Sequence, residues 1–145
     1  LGAARELDAA EDALRQATGS ASGPRVLALS PAGPDRVHLA RPGSWPDLRA
    51  LAEHGVGLVD PAAGAGVNWS TVGWAEAAEL SPDIVLMDVR ANAARPESLR
   101  ADEHWRAIEA RARLLPWNPE ASCSRRAHTR FFTLVADTVR EASGA

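Results

Sequence analysis

Tyrosine and lysine are absent from this 145-residue chain, phenylalanine occurs twice, and cysteine and methionine once each. With Cys123 alone there can be no internal disulfide framework and no cluster of thiolate metal ligands. No stretch approaches the roughly 18 consecutive apolar residues of a membrane-spanning helix, which excludes spanning by helices. Charge of one sign is not in excess either: 16 basic residues face 19 acidic ones, for a net charge of −3. That balance leaves no cationic footprint for nucleic acid, which is excluded as a partner. All the basic residues are arginine and alanine is abundant, a bias expected of a GC-rich genome rather than of a particular chemistry. The length suits one ordinary domain with a real core.

What is present is an alternation of strand and helix patterns. Leu7, Ala10, Leu14 and Ala17 recur at helical spacing within residues 3 to 18, so an amphipathic helix is expected there, followed by the flexible segment GSASG at 19 to 23. The opening LGAARELDAAEDALRQ has neither the charged nor the apolar region of a secretion signal, and the lack of an initial methionine leads us to expect a chain that continues upstream. RVLALS at 25 to 30 reads as a buried strand and RVHLA at 36 to 40 as a shorter one. Ser44 is placed to cap a helix from Trp45 to His54, ended by Gly55, and VGLVD at 56 to 60 is expected as the third strand. PAAGAGVNWSTVG at 61 to 73 reads as a long loop and residues 73 to 80 as a short helix. IVLMDV at 84 to 89 is the strongest strand signal, and RANAARPESLRA after it reads as irregular. A helix at 102 to 111, a strand RLLPW at 113 to 117 and a closing amphipathic helix at 125 to 142 complete the pattern. Strands alternating with helices predict an α/β fold with a mainly parallel central sheet covered on both faces, a three-layer α/β/α arrangement.

Few residues suggest catalysis. Cys123 and His128 could form a nucleophile and base, but no signature surrounds them and a spectator thiol is the better reading. His38, His54, His104 and His128 include no pair at metal-ligand spacing, and no glycine pattern leads from a strand into a phosphate-cradling helix. The five tryptophans are the distinctive feature. Trp74 and Trp105 fall inside helices and are expected in the core, whereas Trp45, Trp69 and Trp117 fall beside loops that follow strands. In an open parallel sheet ligands bind beyond the carboxyl ends of the strands, so these three, with Arg41, Asn68 and Arg90, are the candidate ligand-binding residues.

The run NWSTVGWAEAAELSPDIVLMDV, the later EHWRAIEARARLLPW and the closing FFTLVADTVREA resemble, in order and pattern, ferric-siderophore and cobalamin substrate-binding proteins of ABC transporters. The resemblance implies a long linking helix followed by the carboxyl-terminal lobe of a two-lobe receptor, with residues 1–22 as helix and linker and 23–145 as the lobe. It implies further that the chain is not an enzyme, that iron is carried by the siderophore with no resident cofactor or protein-bound metal, and that the full-length protein is extracytoplasmic and anchored as a lipoprotein. The implied partners are the missing amino-terminal lobe and a permease. In the family an acidic residue docks on the permease; its place falls on Ala75, which leaves the adjacent Glu76 as the docking candidate. An isolated lobe would leave part of the Leu7–Ala17 stripe uncovered, and weak self-association is expected from it. A small cytoplasmic flavodoxin-like enzyme or regulatory domain, binding a small molecule at the sheet end, is the alternative.

Overall fold

Residue alternation along the central strands sorts the core into two layers. In the computed structural model, which describes residues 2–18, 24–32, 36–61, 68–90, 96–118 and 125–142, β1 (Arg25–Pro31) and β5 (Ile84–Asp88) lie side by side and parallel at the centre of the sheet. Val26, Ala28, Ile84 and Leu86 point to one face, and Leu27, Leu29, Val85 and Met87 to the other. Both strands are buried on both sides, which is why they read as continuous apolar runs. β6 (Arg113–Trp117) continues the parallel order beyond β5, and the expected third strand is the two-residue β3 (Gly57–Leu58), parallel to the start of β1.

The first face is covered by α1 (Gly2–Ala17), α2 (Pro46–Glu53) and α6 (Arg125–Ala142), the second by α3 (Trp74–Glu79), α4 (Pro96–Leu99) and α5 (Glu103–Arg111). The fold is therefore the expected α/β with helices on both sides of the sheet. Asp102 starts α5 by accepting hydrogen bonds from the backbone N–H groups of His104 and Trp105, at 2.8 and 3.1 Å. Among the described residues no helix is long and apolar enough to cross a membrane.

The sheet is mainly parallel, as expected, with antiparallel pairings on one side: β2 (Val37–Ala40) runs antiparallel to β1, and β4 (Trp69–Val72) runs antiparallel to β2. Three expectations are corrected. β4 lies within the stretch read as a loop, because the glycines before it masked a four-residue segment with β-branched and aromatic side chains. α2 begins at Pro46 with Trp45 in the cap position and no side-chain cap, while Ser44 ends a 3-10 turn, Pro42–Ser44. The apolar stripe of α1 is not left open: Ala10, Leu14 and Ala17 are buried, Leu7 packs beside them, and the helix lies along α6. Self-association through that stripe thus loses its motive.

The end of α1 is also tied down. The Thr18 hydroxyl donates to the His54 carbonyl at 2.8 Å, next to Gly55, whose φ of +98° suits glycine. A Cβ on Gly55 would lie 2.6 Å from Thr18 Oγ1, so the close approach requires glycine on steric grounds as well.

Candidate functional site

The carboxyl ends of β1, β5 and β6 lie at one edge of the sheet, and β2 and β4 extend that edge sideways. Register places Thr71 opposite His38, His38 opposite Ser30, and Asp88 opposite Trp117. The Ser30 hydroxyl donates to Asp88 Oδ2 at 2.7 Å and joins the two halves. Thr71, His38, Ser30, Asp88 and Trp117 thus form one row across all five strands of the main sheet order. Alternation puts this row on the face whose preceding positions, such as Ala28 and Leu86, are core.

A cavity of about 510 Å³ opens over the row, lined by Ser30, Pro31, Ala32, His38, Trp69, Thr71 and Arg90. Its size suits a small organic ligand. His38 Nδ1 and Thr71 Oγ1 share a hydrogen bond of 2.7 Å, which orients the imidazole on the cavity wall. Beside the cavity, three tryptophans meet. Trp45 and Trp69 have ring centroids 5.0 Å apart, and each lies 5.9 Å from Trp117, with Trp45 edge-on to it. Two of the indole N–H groups are tied down: Trp45 donates to the Asn68 carbonyl at 3.1 Å and Trp117 to the Asp47 carboxylate at 2.8 Å. Those bonds fix the planes of Trp45 and Trp117, and Trp69 packs against both, so the aromatic surface is pre-organised.

Asp88 is the most buried charge of the site, with a fully covered side chain. Arg90 folds back on it: Arg90 Nε reaches both carboxylate oxygens at 3.1 and 3.0 Å, Nη2 reaches Oδ2 at 2.8 Å, and the Arg90 backbone N–H donates to Oδ1 at 2.9 Å. The guanidinium carbon also lies 6.0 Å from the Trp69 ring centroid, within cation–π range. Burial pushes the Asp88 carboxyl up, but the bonds from Arg90 and Ser30 outweigh it and hold the group below its ordinary value. Asp83, at the start of β5, is lowered too, chiefly by the Arg25 backbone N–H.

Both carboxyls therefore release protons more readily folded than unfolded. They contribute stability above the unfolded aspartate value of about 3.9, and that contribution is lost as pH falls through their lower folded values. Urea midpoints are expected to hold from pH 7 to about 5 on account of these groups and to drop below about 4, less steeply in Asp88→Asn. An equal acid slope in that variant would show that Asp88 is not among the groups responsible.

The six residues chosen from sequence are placed as follows. Trp45, Trp69, Trp117 and Arg90 come together in one cluster, with Trp69 and Arg90 on the cavity wall. Trp117 is only 2% exposed and supports the other two rings. Asn68 is exposed, and its backbone carbonyl joins the Trp45 indole to the Arg41 backbone N–H, 2.9 Å away. Glu76 is exposed on α3. Cys123 lies outside the described residues, and His128 stacks on Phe132 at 5.7 Å. Sequence reasoning missed Ser30, His38, Thr71 and Asp88. Only Asp88 carried a local signal, an acid two residues before an arginine at the end of an apolar strand.

No protein-family model and no curated protein matches the chain. Solved structures do. DesE, a ferric-siderophore receptor protein from Streptomyces coelicolor, superposes with a TM-score of 0.83 at 25% identity over 96% of this chain and 48% of its own. FhuD from Vibrio cholerae, a siderophore binding protein with bound Fe3+-Desferal, gives 0.62 at 18% identity over 97% and 52%. The periplasmic heme-binding protein RhuT from Roseiflexus sp. RS-1 gives 0.63 at 18% over 97% and 55%. In fold and order of elements the chain matches siderophore-type substrate-binding proteins of ABC transporters, and it spans about half the length of the structures it matches.

Proposed function

We propose that this chain is the carboxyl-terminal lobe of an extracytoplasmic two-lobe receptor that binds a ferric siderophore and delivers it to an ABC-transporter permease. Residues 1–22 are the linking helix and its linker, and 23–145 the lobe, with the amino-terminal lobe closing the cleft from the other side. The carrying observation is the Trp69 ring on the cavity wall, backed by Trp45 and by Trp117 at the carboxyl end of the parallel strand β6. The fold likeness to ferric-siderophore receptors supports the same reading.

In this mechanism the protein supplies a rigid aromatic wall and does no chemistry on the ligand. Tryptophan faces stack on the apolar or planar parts of the chelate, and the siderophore keeps the iron. Pre-organisation limits the ordering cost of binding, because the rings are held before the ligand arrives. Release is the permease's task, and exposed Glu76 is the proposed docking residue. Membrane anchoring as a lipoprotein belongs to this reading as well, and no catalytic step is assigned.

The test uses the two-lobe receptor. A ferric siderophore should quench its tryptophan emission on binding, because iron chelates absorb where indole emits. Trp69→Ala should weaken that affinity by about 1 to 3 kcal/mol, the range for stacking on an aromatic side chain. Unchanged affinity in the variant would remove Trp69 from the ligand surface, and an absence of quenching in the parent protein would count against the receptor reading itself.

A further inference from the structure

The arginine on the cavity wall does not present an isolated positive charge. Arg90 is an ion-pair partner of Asp88, whose carboxylate is fully covered and also accepts the Ser30 hydroxyl. The arginine side chain itself is 19% exposed, so most of it is committed to the carboxylate and to packing against Trp69. A cation and an anion held at 2.8 Å act at a distance as a dipole, and their fields largely cancel for a ligand several ångströms away. The residue expected to attract anionic groups is thus neutralised by a second residue behind it.

We propose that Asp88 determines which ligand charge this site accepts: by neutralising Arg90 within the wall, it directs the site toward ferric chelates with no net negative charge and disfavours polyanionic ones. The proposal rests on the siderophore-receptor reading. Two neighbouring features fit it. Trp69, Pro31 and Ala32 give the cavity apolar wall, and the polar groups of Ser30, His38 and Thr71 are already engaged with Asp88 or with one another. Aromatic and apolar surface rewards shape and burial rather than charge. Asp88 is accordingly a positioning residue: it acts through Arg90 and sets both the direction of the guanidinium and its net effect.

The experiment compares two probes on the two-lobe receptor by quenching of tryptophan emission: Fe3+–Desferal, which carries no net negative charge, and a trianionic ferric tris-catecholate. The parent receptor should prefer Fe3+–Desferal. Asp88→Asn keeps the shape and removes the carboxylate that pairs with Arg90, and should shift the affinity ratio about tenfold toward the trianion, an effect that shrinks as salt is raised. The double variant Asp88→Asn with Arg90→Gln removes both charges and should return the ratio to that of the parent, which a merely structural role of Asp88 would not do. Should Asp88→Asn fail to fold, the double variant and Arg90→Gln remain. Arg90→Gln, with the carboxylate unopposed, should shift the ratio the other way. A parent preference for the trianion, or a ratio indifferent to all these variants in folded protein, overturns the proposal. If the parent receptor is quenched by neither probe, the siderophore reading falls, a distinct result.

Discussion

Arg90→Ala is expected to destabilise the fold by about 3 to 5 kcal/mol at neutral pH, the range for removing one partner of a buried ion pair. The mechanism is the stranding of Asp88. Its fully covered carboxylate would keep the Ser30 hydroxyl and the residue 90 backbone N–H but lose the three contacts from the guanidinium. The cost should therefore depend on pH. At pH 7 the stranded group is charged or must take up a proton, and both are unfavourable. As pH falls through the carboxylate range the neutral form becomes available, and the difference between variant and parent should narrow. Urea unfolding at pH 7 and pH 4 measures both numbers. A loss below about 1 kcal/mol at pH 7, or a loss that grows on acidification, would contradict the buried-pair account. The magnitude also has a practical consequence: weaker ligand binding by Arg90→Ala reports damage to the wall as much as loss of a charge, and the amide substitutions are the cleaner probes.

Trp105→Ala should cost about 3 to 5 kcal/mol as well, through a cavity on the opposite face of the sheet. The Trp105 side chain is completely buried, and its ring meets that of Trp74 at 5.1 Å in an edge-to-face arrangement. Together with Leu99 and Ile108 these rings close the layer of α3, α4 and α5 over Leu27, Val85 and Met87. The three helices are short, of six, four and nine residues, so their stability comes from this packing rather than from their own propensity. Thermal unfolding should shift down by roughly 10 °C for a chain of this size. Trp45→Ala provides the contrast. That ring is only half-buried and packs at the rim of the site, so its removal should cost clearly less stability while disturbing the aromatic wall. Equal thermal shifts in the two variants would mean that the rim cluster is as much a part of the core as the Trp74–Trp105 pair.

Much of this architecture was legible in the amino-acid order. The apolar runs at 25 to 30 and 84 to 89 announce strands buried on both faces, and the Leu7–Ala17 stripe announces a helix with one apolar side. Trp74 and Trp105, inside helical patterns, read correctly as core. These features depend on periodicity within a single element, which the chain carries wherever it folds. Trp45, Trp69 and Trp117 were read alike as loop residues after strands, whereas Trp69 opens β4 and Trp117 closes β6; that the three rings touch was not legible.

Only the tertiary structure decided how neighbours pair. Nothing local in RVHLA distinguishes a strand parallel to β1 from one antiparallel to it, because side-chain alternation is the same in both directions. Yet that direction places His38 opposite Ser30 and, with β4 added at the edge, opposite Thr71. Likewise Asp88, an acid in an apolar strand, gains its meaning from Ser30, 58 residues away, and from the bend that folds Arg90 back over it. The amino-acid sequence by itself determined which elements form and which faces they bury, since both follow from short-range spacing and burial of apolar surface. The row of polar side chains across the sheet edge, the cover that α6 gives to α1 and the neutralised arginine were decided by register and packing, in which residues far apart in the chain become cross-strand neighbours about 5 Å apart.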